Sequence, residues 1–213
     1  MALRHNRTQI SQMMSRFIWS FHVGDNIAYN FKVIFALYED KARSTNPGVY
    51  NKPLIVQMVS IIECLMYDFV VRLEQATNQW PAQIPTEKRA RIKARLTSET
   101  VRVDVEYSDQ TTTIQRVRNY SFDQLLKIFE EFELFGPSGH LIYTRLKDAG
   151  RLRNRVHIFN WFGNYEARER ETYSNAKLAE IELLLDAFLR FMSTRYPRPD
   201  SPTGSDAWVE DMS

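Results

Sequence analysis

The chain has 213 residues, of which 44% are apolar and 25% charged, and its formal net charge is +2. That length supports one domain with a sizeable core, or at most two small ones, and the composition is that of an ordinary soluble globular protein. So small a net charge excludes nucleic-acid binding through overall charge and leaves room only for local clustering.

The single cysteine, Cys64, cannot form an internal disulfide; it lies in an apolar run and is expected to be a buried, reduced core residue, which favours the cytoplasm. His5, Arg7, Gln9 and Gln12 interrupt the N-terminus, so no signal-peptide core is expected there. Asp25 predicts the start of a helix that runs to about Arg43 and ends at Asn46-Pro47-Gly48. Pro53 suits the first turn of a long helix ending near Gln75. The stretch Leu54 to Leu73 is apolar nearly all round but carries Gln57, Glu63, Asp68 and Arg72, which marks the centre of a bundle and not a membrane span. Trp80-Pro81 to Pro85 reads as a linker, and Lys88 to Leu96 as a short basic amphipathic stretch.

The period then changes. Val101, Val103, Val105 and Tyr107 alternate with Arg102, Asp104 and Glu106, the pattern of a half-buried strand. Ser108-Asp109-Gln110 can turn the chain, and Thr111 to Val117 can return as a second strand, so a small β-hairpin insertion is expected at about residues 99–119. Ser121 and Gln124 predict a capping box, followed by Phe122, Leu125, Leu126, Ile128, Phe129 and Phe132 at helical spacing, with Gly136-Pro137 ending the helix. His140 to Asn160 reads as one or two helices with an apolar row of Ile142, Leu146, Ala149, Leu152, Val156 and Phe159. A last helix is expected from about Ala167 to Tyr196, stopped by Pro197. The expected organisation is therefore all-α, a single helical domain over residues 1–196, with residues 197–213, rich in Pro, Ser and Asp, as a flexible C-terminal tail.

Chemistry concentrates in Arg151-Leu152-Arg153-Asn154-Arg155-Val156-His157, which holds three arginines, an asparagine and one of four histidines. A guanidinium stabilises phosphate charge, and imidazole is suited to moving a proton near neutral pH. In a regular helix residues four apart share a face, so Arg153 and His157 fall together with Asn160 beside them, while Leu152, Val156 and Phe159 face the core. Arg151 falls well round the helix from His157.

Late in a helical bundle, this segment resembles the signature of the HEPN-domain family, an arginine followed four to six residues later by a histidine. The long apolar helix with its embedded Glu63 and the long final helix fit as well, so the resemblance covers roughly residues 26 to 196. Counting from Arg151, five residues precede His157, but Leu152 replaces the usual polar residue; counting from Arg153, Asn154 is the polar residue, but only three residues intervene. The choice between Arg151 and Arg153 therefore stays open. The resemblance implies a HEPN-like helical bundle that forms a homodimer, with Arg and His of both subunits meeting at the interface. For active members it implies metal-independent RNA cleavage, often in toxins or in defence, with an antitoxin or sensor protein as partner. In that chemistry His157 acts as general acid or base for attack by the ribose 2′-hydroxyl, Arg153 or Arg151 stabilises the transition-state charge, and Asn154 orients phosphate or imidazole. Other members have lost catalysis and serve as dimerising modules that bind a partner protein or nucleic acid; a purely structural helical adaptor is a third class.

The remaining candidates support that site. Glu63 can pair with Arg153 or Arg151 and orient the guanidinium, and if buried it needs such a partner. Arg155, with the stripe of Lys88, Arg89, Arg91, Lys93 and Arg95, can contact RNA phosphates or form a solvated face. His5, His22, His140 and Cys64 are scattered without ligand spacing, so no metal site is expected. There is no phosphate-binding or dinucleotide-binding glycine pattern, so no cofactor is expected, and no membrane partner.

Overall fold

The computed structural model describes residues 7–18, 21–76, 80–97, 100–107, 110–117, 120–154 and 169–197, and for the two strands only the backbone path. The protein is mostly helical. In chain order the elements are α1 (Arg7–Phe17), α2 (Phe21–Arg43), a 3₁₀ turn (Pro47–Tyr50), α3 (Asn51–Gln75), α4 (Thr86–Thr97), β1 (Thr100–Tyr107), β2 (Gln110–Val117), α5 (Phe122–Glu131), α6 (Leu141–Asn154), α7 (Glu169–Thr172) and α8 (Asn175–Arg195).

Helix α3 occupies the centre and packs against α2, α4, α5, α6 and α8. Its apolar side chains, from Leu54, Ile55 and Met58 through Leu65, Met66 and Phe69 to Val70 and Leu73, are removed from solvent on several sides of the helix. By length and composition the stretch Pro47–Glu74 is apolar enough to cross a membrane, but it is largely buried inside the bundle, as a core helix is. Helix α1, for which the periodicity reading placed no element, lays Ile10, Met14 and Phe17 into the core and packs against α8. The strands β1 and β2 pair antiparallel, with Val101 opposite Arg116 and Tyr107 opposite Gln110. Ser108 and Asp109 lie outside the described residues.

Three helix boundaries differ from expectation: the starts of α2 and α8, and the end of α5, which stops at Glu131 and not at Gly136-Pro137. Helix α2 begins at Phe21, so Asp25 sits within it and caps nothing. Val23 packs on the core in register with Ile27, Phe31 and Ile34, so the apolar stripe starts before Asp25. The expected helix from Ala167 is broken at Tyr173-Ser174, after the single turn of α7. Ser174 is the N-cap of α8, its hydroxyl accepting from the Lys177 N–H at 3.3 Å. The Tyr173 carbonyl is taken by the Asn51 amide at 2.8 Å, so the side chain of another helix meets the backbone group that a continuous helix would use. Ala167 and residues 198–213, the bulk of the expected tail, lie outside the described residues.

Helix α5 starts where its residues predict. The Ser121 hydroxyl accepts from the Gln124 N–H at 3.4 Å, and the Gln124 side chain accepts from the Ser121 N–H at 2.8 Å. It ends in a tight turn that needs Gly136 at φ +114° and places Glu133 at φ +54°. The buried Tyr143 hydroxyl holds this turn: it reaches the carbonyls of Phe129 at 3.1 Å and Gly136 at 3.0 Å and accepts from the Phe135 N–H at 3.1 Å. Burial pushes the Tyr143 phenol up to about 12, so it stays a donor.

Helix α6 approaches α5 closely at Gly150. A Cβ there would lie 2.7 Å from Cδ1 and 2.9 Å from Cε1 of Phe122, well inside contact distance. Alanine at this helical position gains about 1 kcal/mol of propensity, while overpacking a core costs about 1–3 kcal/mol. Gly150→Ala is therefore expected to lower the Tm by a few degrees, and a Phe122→Leu background should absorb most of that loss. A Tm equal to or above that of the parent would show that the close approach carries no energy.

Candidate functional site

The Arg-rich segment begins on the last turn of α6. Arg151 and Arg153 are two residues apart, about 200° around a helix, so they meet different surroundings. Arg151 is 68% exposed in its side chain and, among the described residues, pairs with Asp148, at 3.4 Å on its own helix. Arg153 turns towards α3, and its Nη2 lies 2.8 Å from Oε2 of Glu63, with side-chain exposures of 37% and 18%. Of the two pairings the sequence allows for Glu63, the structure contains the one with Arg153. The Asn154 side chain lies at the outer edge of hydrogen-bond reach, its Oδ1 3.5 Å from Arg153 Nη1.

Glu63 does more than hold the arginine. Its carboxylate also accepts the backbone N–H of Phe122, in the first turn of α5, where the helix dipole favours an anion. Burial raises the Glu63 carboxyl above its ordinary value, while the Arg153 guanidinium and the Phe122 N–H pull it back part of the way. Gly150 and Arg153 are three apart and share a face of α6, so the close contact with Phe122 sets the distance at which the guanidinium meets Glu63.

Downstream, α6 is tied to the start of α8. The Tyr173 hydroxyl donates to the Leu152 carbonyl at 2.9 Å. The two ends of segment 155–168, Asn154 and Glu169, therefore lie within a few residues of one hydrogen bond. Arg155, His157, Asn160, Trp161 and Phe162 belong to that segment and lie outside the described residues, as do Val156 and Phe159 of the expected apolar row.

The basic stripe lies on α4. Lys88 pairs with Glu133 at 2.6 Å, Arg95 with Glu131 at 3.6 Å, and Arg89 Nε donates to the Ile84 carbonyl at 2.8 Å. The Lys88 ammonium holds the exposed Glu133 carboxyl below the usual range. Three of the five basic residues thus fasten α4 locally and to the end of α5, while Arg91 and Lys93 face solvent. Cys64 is partly buried against the core, its thiol pushed up by burial and then by Asp68 and Glu63. Among the described residues no three His, Cys, Asp or Glu side chains come together as a metal site would require.

Periodicity did not reveal a second polar cluster where α2, α3 and α8 meet. Tyr38 donates to the buried Glu182, and burial of the phenol, followed by the hydrogen bond to Glu182 and its charge, raises the Tyr38 pKa. One turn on, Lys41 donates to the Asn51 side chain, to Asn175 Oδ1 at 3.2 Å and to the Pro47 carbonyl at 3.1 Å. Burial lowers the Lys41 pKa, with Glu182 opposing the shift. Lys52, just inside α3, lies over the Tyr173 ring with its ammonium 5.4 Å from the centroid. The only cue in the sequence is Asn51 and Asn175, each at a helix start.

The raised Glu63 pKa has a definite sign. A carboxyl whose folded-state value exceeds its unfolded value contributes stability that is complete below the unfolded value, about 4.3, and is lost as pH rises through the folded one. Relative to Glu63→Gln, the parent protein should therefore gain stability as pH falls from about 7 towards about 4, read from thermal melts of both proteins across that range. A constant difference in Tm would mean that Glu63 is as well solvated as in the unfolded chain.

Compared with protein-family models, with curated proteins and with solved structures, the chain matches none.

Proposed function

We propose that the protein is a metal-independent RNA endonuclease of HEPN type. In this reading the helices form a HEPN-like bundle carrying the β1–β2 hairpin as an insertion. Two copies pair so that the segments carrying His157 meet at the dimer axis, each supplying one of the two proton-transferring groups that RNA cleavage uses. His157 moves the proton of the ribose 2′-hydroxyl, and Asn154 orients the phosphate or the imidazole. An antitoxin or sensor protein is the expected partner, and the cytoplasm the expected location.

The observation that carries this reading is the Glu63–Arg153 pair on the last turn of α6, four residues before His157. A half-buried carboxylate that holds a guanidinium leaves its remaining N–H donors aimed in a set direction, which is what charge stabilisation in a transition state needs. Arg153 is accordingly our choice over Arg151, which stands at the surface. The non-catalytic module is a second reading, favoured by the same pair: Glu63, Arg153 and the Phe122 N–H also tie three helices together without any chemistry.

Single-turnover cleavage of a structured RNA separates these readings. His157→Ala and Arg153→Ala are each expected to lower the rate by about 10²–10⁴-fold, the usual cost of losing a general acid or base, with little change in Tm for the histidine variant. Arg151→Ala should keep most of the activity. Unchanged cleavage by His157→Ala would remove the assignment, and a large fall in its Tm would make His157 a structural residue.

Two further measurements address the mechanism and the assembly. Cleavage should persist in excess EDTA, because the proposed steps use only imidazole and guanidinium; activity that returns only with Mg²⁺ or Mn²⁺ would indicate a different reaction. Light scattering at micromolar concentration should give twice the chain mass, and a monomer would leave the composite site without its second half.

A further inference from the structure

Helix α4 carries five cations, Lys88, Arg89, Arg91, Lys93 and Arg95, against one acid, Glu87. Lys88, Arg89 and Arg95 are spent on Glu133, the Ile84 carbonyl and Glu131. Arg91 and Lys93 pair with none of the described residues. At about 100° per residue they stand on the two borders of the solvent face, and the exposed Ala90 and Ala94 lie between them. This face is therefore a shallow strip with a small apolar floor and a cation on each side. Glu87 stands one turn before it, at the start of the helix.

The end of α8 brings the chain to this strip. The Tyr196 hydroxyl donates to the Leu134 carbonyl at 2.7 Å, and the residue before Leu134, Glu133, holds Lys88 of α4 at 2.6 Å. Pro197, whose carbonyl accepts from Arg72 at 2.9 Å, thus follows directly on the turn to which α4 is fastened. Residues 198–205 can span roughly 26–29 Å when extended, a conformation that Pro199 and Pro202 favour, while α4 is about 18 Å long. The strip is within reach of residue 206.

The sequence that follows has the opposite character. Asp206-Ala207-Trp208-Val209-Glu210-Asp211-Met212 holds three acids, no base and a tryptophan. An indole can lie on small side chains and take a cation over its face. We infer that residues 206–212 cover the solvent face of α4 in the same chain, with Trp208 on Ala90 and Ala94 and with Asp206, Glu210 and Asp211 beside Arg91 and Lys93. Glu87 repels these acids from the start of the helix and so favours their approach to Arg91 and Lys93. Tethering gives the segment an effective concentration of roughly millimolar, so contacts that are weak between separate molecules hold within one. Docked there, the segment excludes any other polyanion from the strip. The inference does not depend on the cleavage reading, and its test reads the docking alone.

Acrylamide quenching of Trp208 in the full chain tests it, with the signal of Trp19, Trp80 and Trp161 removed by subtracting that of Trp208→Phe. Trp208 is expected to be shielded in the parent chain. It should become as accessible as free N-acetyltryptophanamide in Arg91→Glu/Lys93→Glu, in Asp206→Lys/Glu210→Lys, and in the parent at molar salt. Combining the four substitutions exchanges the charges and should restore the shielding. Arg91 and Lys93 are exposed, so the Tm of their variant is expected to stay close to that of the parent. Three results would each overturn the inference: a fully accessible Trp208 in the parent, shielding that survives Arg91→Glu/Lys93→Glu, or shielding that is lost on dilution, which would assign the strip to the segment of a second copy. An accessible Trp208 together with weaker binding of single-stranded RNA by Arg91→Glu/Lys93→Glu would give the strip to nucleic acid.

Discussion

Helix α3 is mostly buried inside the bundle, and most of the structure follows from that. Five helices pack on it, so each polar group it buries must be met by another part of the chain or remain desolvated and unpaired at a cost of a few kcal/mol. Glu63 meets Arg153 of α6 and the first N–H of α5. Arg72, 2% exposed, donates to the carbonyls of Tyr196 at 3.1 Å and Pro197 at 2.9 Å and so closes the end of α8. Asn51, at the start of the helix, holds the Tyr173 carbonyl. The apolar surface of α3 drives the helices together, and its few polar atoms set where along α3 each neighbour stops.

The junction of α3, α5 and α6 shows how local these constraints are. Gly150 lets α6 come against the Phe122 ring, and one turn later Arg153 is near enough to Glu63 to bond at 2.8 Å. The same Phe122 gives its backbone N–H to Glu63 and its ring to Gly150. A carboxylate beside a helix N-terminus, a guanidinium on the neighbouring helix and a glycine that sets the spacing form one unit. Its charge pair is too exposed to add much stability, about 1 kcal/mol at most, so its main effect is on the direction in which Arg153 points.

At the opposite end of α3 the polar contacts are denser. Tyr38, Lys41, Asn51, Asn175 and Glu182 come from α2, α3 and the distant α8, and each hydrogen-bonds to another member of the group. The arrangement fixes α2 against the start of α8. Tyr173, bonded through its carbonyl to Asn51 and through its hydroxyl to Leu152, joins this end to the last turn of α6.

The residues alone determined where helix α3 runs, where α5 starts and that α3 is central. Pro53, the nearly continuous apolar surface of 54–73 and the Ser121/Gln124 box act within one or two turns, and such short-range signals survive without knowledge of neighbours. The start of α2 and the break before α8 were not legible. The first depends on Val23 reaching the core, and the second on an asparagine 122 residues away in the chain. The same division runs through the candidate site. The sequence put Glu63, Arg151 and Arg153 forward together, and the basic stripe as a phosphate surface. Only the packing of α6 on α3 decided that Arg153 takes Glu63, and only the turn after α5 decided that Lys88 meets Glu133. Periodicity assigns a side chain to a face of its own helix, but which charge it meets depends on the distance and angle between two helices, set by contacts such as Gly150 on Phe122 that no single segment contains.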